Sequence, residues 1–175
     1  MDHELYMRQA LELAREAAAA GEVPVGCVIV HDGRVIGRGR NRREEKQAVS
    51  SHAEMEAMAQ ANEALGSWRL EDCTLYVTLE PCPMCAGAII NARIPRVYYG
   101  ARDREMGACG GVLNLFMERF PHHPALVGGI LYALVAWLFG EMMERLQSGP
   151  VAKAAPIFSA LGLYLAFQCF AGIIL

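Results

Sequence analysis

The 175-residue sequence has no excess of positive charge, no internal repeat and no low-complexity tract. A net charge of −3 gives no global attraction to nucleic acid, so any contact with RNA has to come from a local basic patch. No cleavable leader is expected either, because Asp2, Glu4, Arg8, Glu12, Arg15 and Glu16 are spread through the first twenty residues. Without a leader, the six cysteines read as cytosolic thiols rather than a disulfide framework, and the expected location is cytoplasmic. At this length one domain is expected, large enough to bury a core without covalent staples.

Charge is scarcest in the last third. Beyond Glu118 the only charged side chains are Arg119, Glu141, Glu144, Arg145 and Lys153. The uncharged segments 124–140 and 154–175 flank a Ser148-Gly149-Pro150 break, so the expected organisation is a domain over 1–147 and a hydrophobic tail over 148–175. Within the tail, 157–175 is nineteen uncharged, mostly apolar residues, just long enough to cross a hydrocarbon core of roughly 30 Å as a helix. Three readings fit it: a membrane anchor, an apolar extension folded onto the domain or a dimer, and a foreign end.

The rest of the chain alternates helix and strand signals. Met7, Leu11, Ala14 and Ala18 follow a helical period that Gly21 ends. The β-branched stretch 23–30, the turn residues His31-Asp32-Gly33 and the alternating stretch 34–40 predict a hairpin, followed by a charged loop over 41–46. A second helix is expected from Ser51 or His52 to Leu65, a strand over 73–78, and a third helix from Pro83 to about Asn91. Pro83 suits a first helical turn because its missing donor costs nothing there. A strand over 94–100 and a glycine-rich turn at 107–111 follow, with a short helix near 112–117. This order is that of an α/β layer fold.

Two short stretches carry chemistry: His52-Ala53-Glu54 and Pro81-Cys82-Pro83-Met84-Cys85. His52, Cys82 and Cys85 offer one nitrogen and two sulfurs, a set that holds zinc and leaves a fourth position for water, as catalytic sites do. His52 and Glu54, two apart, do not share a helix face, so a common site has to lie off the helix N-terminus, with Ser50 or Ser51 as the expected cap. Glu54, beside the metal but not bound to it, is the expected proton shuttle. A Cys-x-x-Cys pair alone also fits a redox motif, and Ser51-His52-Ala53-Glu54 alone also fits a capping box. Together the two stretches are similar to the signature of zinc-dependent nucleobase deaminases.

The resemblance extends well beyond the metal motif. Glu22-Val23-Pro24-Val25-Gly26, His52-Ala53-Glu54-Met55, Leu75 through Ala88, Gly100-Ala101-Arg102-Asp103 and Gly107-Ala108 resemble the bacterial tRNA-specific adenosine deaminases over about residues 1–131. The resemblance implies a cytidine-deaminase-like three-layer sandwich, a mixed five-stranded sheet between helices, with zinc held by two helix N-termini in a homodimer. It also implies conversion of adenosine to inosine at the wobble position of an arginine tRNA. Carried over by motif, Asn41 would contact the base, Val25 and the Ala53 backbone would line the pocket, and Asp103 would lie near the ribose.

Other side chains invite roles in RNA binding. Arg34, Arg38, Arg40, Arg42, Arg43 and Lys46 are expected either to reach phosphates or to form a solvated hairpin rim. Pro81, Tyr98, Tyr99 and Trp68 are candidate stacking surfaces. Cys27, Cys73 and Cys109 have no place in the motif and are expected as buried or loop thiols.

Two departures from the family stand out. Ala48-Val49-Ser50-Ser51 replaces an Asp, a small residue and a Thr, and the segment 132–146, where a final helix is expected, is apolar until Glu141. Two alternatives therefore remain: a deaminase of a free base or nucleoside of cytidine or guanine type, and an inactive, membrane-tethered binding module.

Overall fold

Helix and sheet approach each other here through small residues, and this closeness sets the geometry of the site. The computed structural model describes residues 2–128. The expected final helix over 132–146, the boundary at 147/148 and the apolar stretch 157–175 lie outside the described residues. Helix α1 (His3–Ala19) is followed by β1 (Gly26–His31), β2 (Arg34–Arg40), a one-turn α2 (Arg43–Lys46), α3 (Ala53–Leu65), β3 (Cys73–Leu79) and α4 (Pro83–Asn91). The chain continues through β4 (Arg96–Ala101), a 3-10 turn (Leu115–Met117) and β5 (Ala125–Val127). The sheet order is β2-β1-β3-β4-β5, with β1 antiparallel to β2 and β3, and β4 parallel to β3 and β5. The expected mixed five-stranded sheet is present, and β5 is the strand that local pattern did not single out.

Alternation along β1 divides the core. Cys27 and Ile29 pack with α3 and α4, whereas Val28 and Val30 pack with Tyr6, Met7 and Ala10 of α1. The sheet therefore lies between helices on both faces. Among the described residues no helix is long and apolar enough to cross a membrane.

Asp2 caps α1 by accepting from the Leu5 N–H at 3.1 Å. The buried seam of α1 is Met7, Ala10, Ala14 and Ala17, whereas Ala18 is exposed. It is rotated from the expected seam because Gly26 of β1 lies against the helix backbone: a Cβ at Gly26 would come 2.0 Å from the Ala10 carbonyl oxygen.

On the other face, Gly37 and Gly39 of β2 do the same for α3. A Cβ at these positions would lie 2.2 Å from the Ala57 oxygen and 2.1 Å from the Ala53 oxygen. Ala53, Ala57 and Ala61 complete this close contact. Because α3 begins at Ala53, the glycines of β2 also fix where His52 and Glu54 stand. Gly39→Ala is expected to force the helix off the sheet at a cost of roughly 1–3 kcal/mol. A lower urea midpoint with unchanged m would report it.

The turns follow their residues. Asp32 and Gly33, with φ of 46° and 74°, form the hairpin turn, and Gly66 ends α3 in the left-handed region at φ 60°. The charged stretch after β2 is not all loop, since Arg43–Lys46 forms one helical turn.

Candidate active site

Two helix N-termini meet at one end of the β1–β3 pair, where β3 leads into α4 and the segment after α2 leads into α3. Cys82 is the N-cap of α4, Pro83 is its first residue, and Cys85 lies two residues further in the same turn. His52 is the N-cap of α3 in an extended conformation and makes no side-chain cap bond. This corrects the expectation of a serine cap. The Ser51 N–H donates to the Ala48 oxygen, and His52 turns its ring to the sulfurs instead of the helix backbone.

His52 Nδ1 lies 3.7 Å from Cys82 Sγ and 3.7 Å from Cys85 Sγ, and the three ligand atoms all fall within 4.8 Å of one another. With ordinary Zn–N and Zn–S bond lengths, a tetrahedral ion separates a nitrogen and a sulfur ligand by about 3.6 Å. The spacing therefore fits such an ion, and one imidazole with two thiols is a donor set that zinc favours. A hydrogen bond from Cys85 holds the Cys82 thiol down at about 4, aided by His52, so the thiolate needed for metal binding is already favoured. The same bond, together with burial, pushes Cys85 far up, and the contact with Cys82 raises His52.

Glu54 stands in the first turn of α3, 4% exposed. Burial pushes its carboxyl up to about 7, with the nearby Cys82 adding to the rise. These groups open onto a cavity of about 350 Å³, within the range of small-molecule sites. Val25, Asn41, His52, Ala53, Glu54, Cys82 and Asp103 all line it, so every site residue expected from the sequence except the buried ligand Cys85 faces this one space.

Two of the substrate candidates have clear surroundings. Asn41 is buried, and its Oδ1 has no hydrogen-bond partner. Asp103 Oδ1 accepts from the Glu105 and Met106 N–H groups at 2.9 and 3.0 Å, so ordinary turn chemistry and cavity lining coincide in one side chain.

Two buried acids were quoted in the motifs without a role. Glu80, at the end of β3, accepts from the N–H groups of Cys109 (2.9 Å), Gly111 (2.7 Å) and Asp103 (3.1 Å), and so ties the 103–111 loop to the stretch that carries Cys82. A Cβ at Gly107 or Gly111 would fall within 2.7 Å of its carboxylate. Glu22 accepts from the N–H groups of Glu45 and Glu44 and from Asn41 Nδ2. The local signal for both was an acid within an otherwise apolar, proline-containing stretch. Glu80→Ala strands three loop donors and is expected to cost about 3 kcal/mol in urea denaturation.

The stacking candidates lie elsewhere. Tyr98 stacks on Tyr76 and His3 on the α1 face, Tyr99 and Pro81 are buried, and Trp68 is 57% exposed beneath the Arg69 guanidinium. None of the four lines the cavity. Cys27, Cys73 and Cys109 are buried free thiols. The basic run is largely engaged: Arg40 and Arg42 pair with Glu45, Arg43 with Glu44, Lys46 with Glu56, and Arg38 bonds Gln9. Val49, in the departing stretch before His52, is 76% exposed, and residues 48–51 do not line the cavity.

Fold and site together define a nucleobase-deaminase-type protein with a cytidine-deaminase-like fold. Residues 1–136 match the MafB19-like deaminases, and the chain belongs to that family. A tRNA-specific adenosine deaminase of Bacillus subtilis is 50% identical over 129 residues, covering 73% of this chain and 80% of its own length. A solved structure from work on A-to-I editing by tRNA:A34 deaminases at the wobble position of transfer RNA is 47% identical, with a TM-score of 0.71. That likeness covers 74% of this chain and all of the other. A guanine deaminase structure from Bacillus subtilis is 35% identical, covering 79% of this chain and 94% of its own, with a TM-score of 0.58.

Proposed function

We propose that the protein hydrolyses adenosine to inosine at the wobble position of a tRNA, an arginine tRNA by the motif resemblance, releasing ammonia. The carrying observation is the buried Glu54 next to the His52, Cys82 and Cys85 triad, with Glu54, His52 and Cys82 lining one cavity. His52, Cys82 and Cys85 would hold zinc, which supplies a Lewis acid that makes a bound water acidic near neutrality.

The remaining roles belong to side chains of the chain itself. Glu54 takes one proton of the attacking water and gives it to the ring nitrogen beside the reacting carbon. It then takes the remaining proton from the new hydroxyl and gives it to the amino group, which leaves as ammonia while the carbon keeps the oxygen as the carbonyl of inosine. A carboxyl held at about 7 exchanges protons in both directions at neutral pH. Val25 and Ala53 wall the base, Asn41 offers it a polar contact, and Asp103 shapes the rim where the ribose enters. Seating the base here requires it to leave the anticodon-loop stack, which an unpaired loop nucleotide does cheaply.

The test is to incubate the zinc-loaded protein with tRNA and with free adenosine, cytidine and guanine, and to measure inosine in the tRNA and ammonia release from each. Inosine in tRNA alone supports the proposal. Turnover of guanine without inosine supports the second reading, which the likeness to guanine deaminase favours. A homodimer, implied by the family resemblance, is expected in sedimentation.

The paired basic rim bears on tRNA affinity. Side-chain bonds from Arg42 and Arg40 hold Glu45 down at about 2, so a carboxylate sits beside these cations at neutral pH. Glu45→Gln is expected to free both arginines for phosphate, tightening tRNA binding and steepening the log K against log salt slope by about one to two units. An unchanged slope would place this rim outside the RNA contact.

A further inference from the structure

Glu22 is a buried acid that the proposed chemistry leaves unused. It lies between α1 and β1 along the chain and is 6% exposed. Its Oε1 accepts from the Glu45 N–H at 2.8 Å, and its Oε2 from the Glu44 N–H at 3.2 Å and from Asn41 Nδ2 at a longer 3.4 Å. Both Glu22 oxygens already accept backbone N–H groups, so the end of the Asn41 amide that faces them is the NH2 group. That leaves Oδ1, buried and without a partner, on a side chain that lines the cavity. The Asn41 backbone is fixed as well, its N–H donating to the Val25 oxygen at 3.0 Å. An orphaned acceptor at a binding cavity is costly unless a bound group supplies the missing donor.

We propose that Glu22 is a positioning residue: it holds the Asn41 amide in one orientation, so that Oδ1 is left for an N–H of the bound base. The same carboxylate holds the first turn of α2, whose Arg43 also lines the cavity. Glu22 thus sets one polar wall of the base pocket without touching the base. This rests on the deaminase reading above and adds to it the source of the pocket's polarity.

A double-mutant cycle on the zinc-loaded full chain tests it, with Glu22→Gln, Asn41→Ala and the double variant. Glu22→Gln replaces a pure acceptor by an amide that also donates, so Asn41 loses its fixed orientation while the volume is kept. Zinc content is expected to stay at the wild-type level. The kcat/KM for inosine formation is expected to fall at least about tenfold in the presence of Asn41 and by less than about threefold in the Asn41→Ala background. Equal losses in both backgrounds would overturn the proposal, because Glu22 would then act as bulk support and not through Asn41.

A polarity swap gives a second arm. Asn41→Asp alone sets two carboxylates against each other and is expected to lower Tm and activity below Asn41→Ala. Glu22→Gln in the Asn41→Asp background restores a donor–acceptor pair and is expected to recover both. If Glu22→Gln alone does not fold, Asn41→Asp against Asn41→Ala decides, and equal Tm values would overturn the proposal. A wild type that makes no inosine would defeat the function proposed above. The Tm coupling between positions 22 and 41, measured without substrate, would still decide this pair.

Discussion

Glu54→Gln is expected to lower inosine formation by about 10³-fold or more while leaving zinc bound. Gln keeps the shape and polarity of the side chain but cannot carry a proton, and positioned acid–base groups contribute about 10²–10⁴-fold. Because the proposed cycle uses Glu54 both to activate water and to protonate the ring and the leaving amine, the upper part of that range applies. The metal is expected to stay, since Glu54 is not among the three atoms that converge on one point. Stability is expected to hold or rise, because a carboxyl pushed up by burial is already penalised when ionised. Single-turnover assays with metal analysis on the same preparation check both halves, and near-wild-type turnover would sink the proposed role.

Cys82→Ala is expected to remove both zinc and activity. Among the described residues the structure brings together three protein ligands, so losing one leaves a two-ligand site that cannot compete for the ion. Metal that binds only the folded state also stabilises it, so Tm is expected to fall. Wild type stripped by a chelator is expected to melt close to the variant, because the side-chain change itself is small and lies at a half-buried helix cap. Recovery of activity on zinc addition is expected for the stripped wild type and not for Cys82→Ala. Full zinc content in the variant would remove Cys82 from the ligand set.

The legibility of the site in the sequence was uneven for a physical reason. Cys82 and Cys85 are three apart, Pro83 marks the helix start between them, and the chemistry of soft ligands limits what such a pattern can do, so the motif and its helix end could be read locally. The same held for Gly66 as the stop of α3 and for the Asp32-Gly33 turn. The cap of α3 could not be read this way: Ser51 fits a capping box by spacing, but His52 takes the position because its ring has partners thirty residues away. The basic run was legible as charge, yet Glu44, Glu45 and Glu56 neutralise much of it through contacts that linear order only hints at.

Residue types and short spacings by themselves determined the metal-ligand set, the α/β class, the Asp32-Gly33 turn, the start of α4 at Pro83 and the end of α3 at Gly66, because each depends on backbone conformation or ligand identity within a few residues. Tertiary structure alone decided which distant groups share the cavity and which acids support it. Asn41 and Asp103 are ordinary turn residues until β2 and β4 deliver them to the cavity that Glu54 lines. Glu22 and Glu80 are two acids among nineteen until folding removes their water and leaves only backbone and amide N–H groups to satisfy them. Burial turns a side chain's chemistry into a constraint on its neighbours, and burial depends on contacts across the sheet, not on neighbours along the chain.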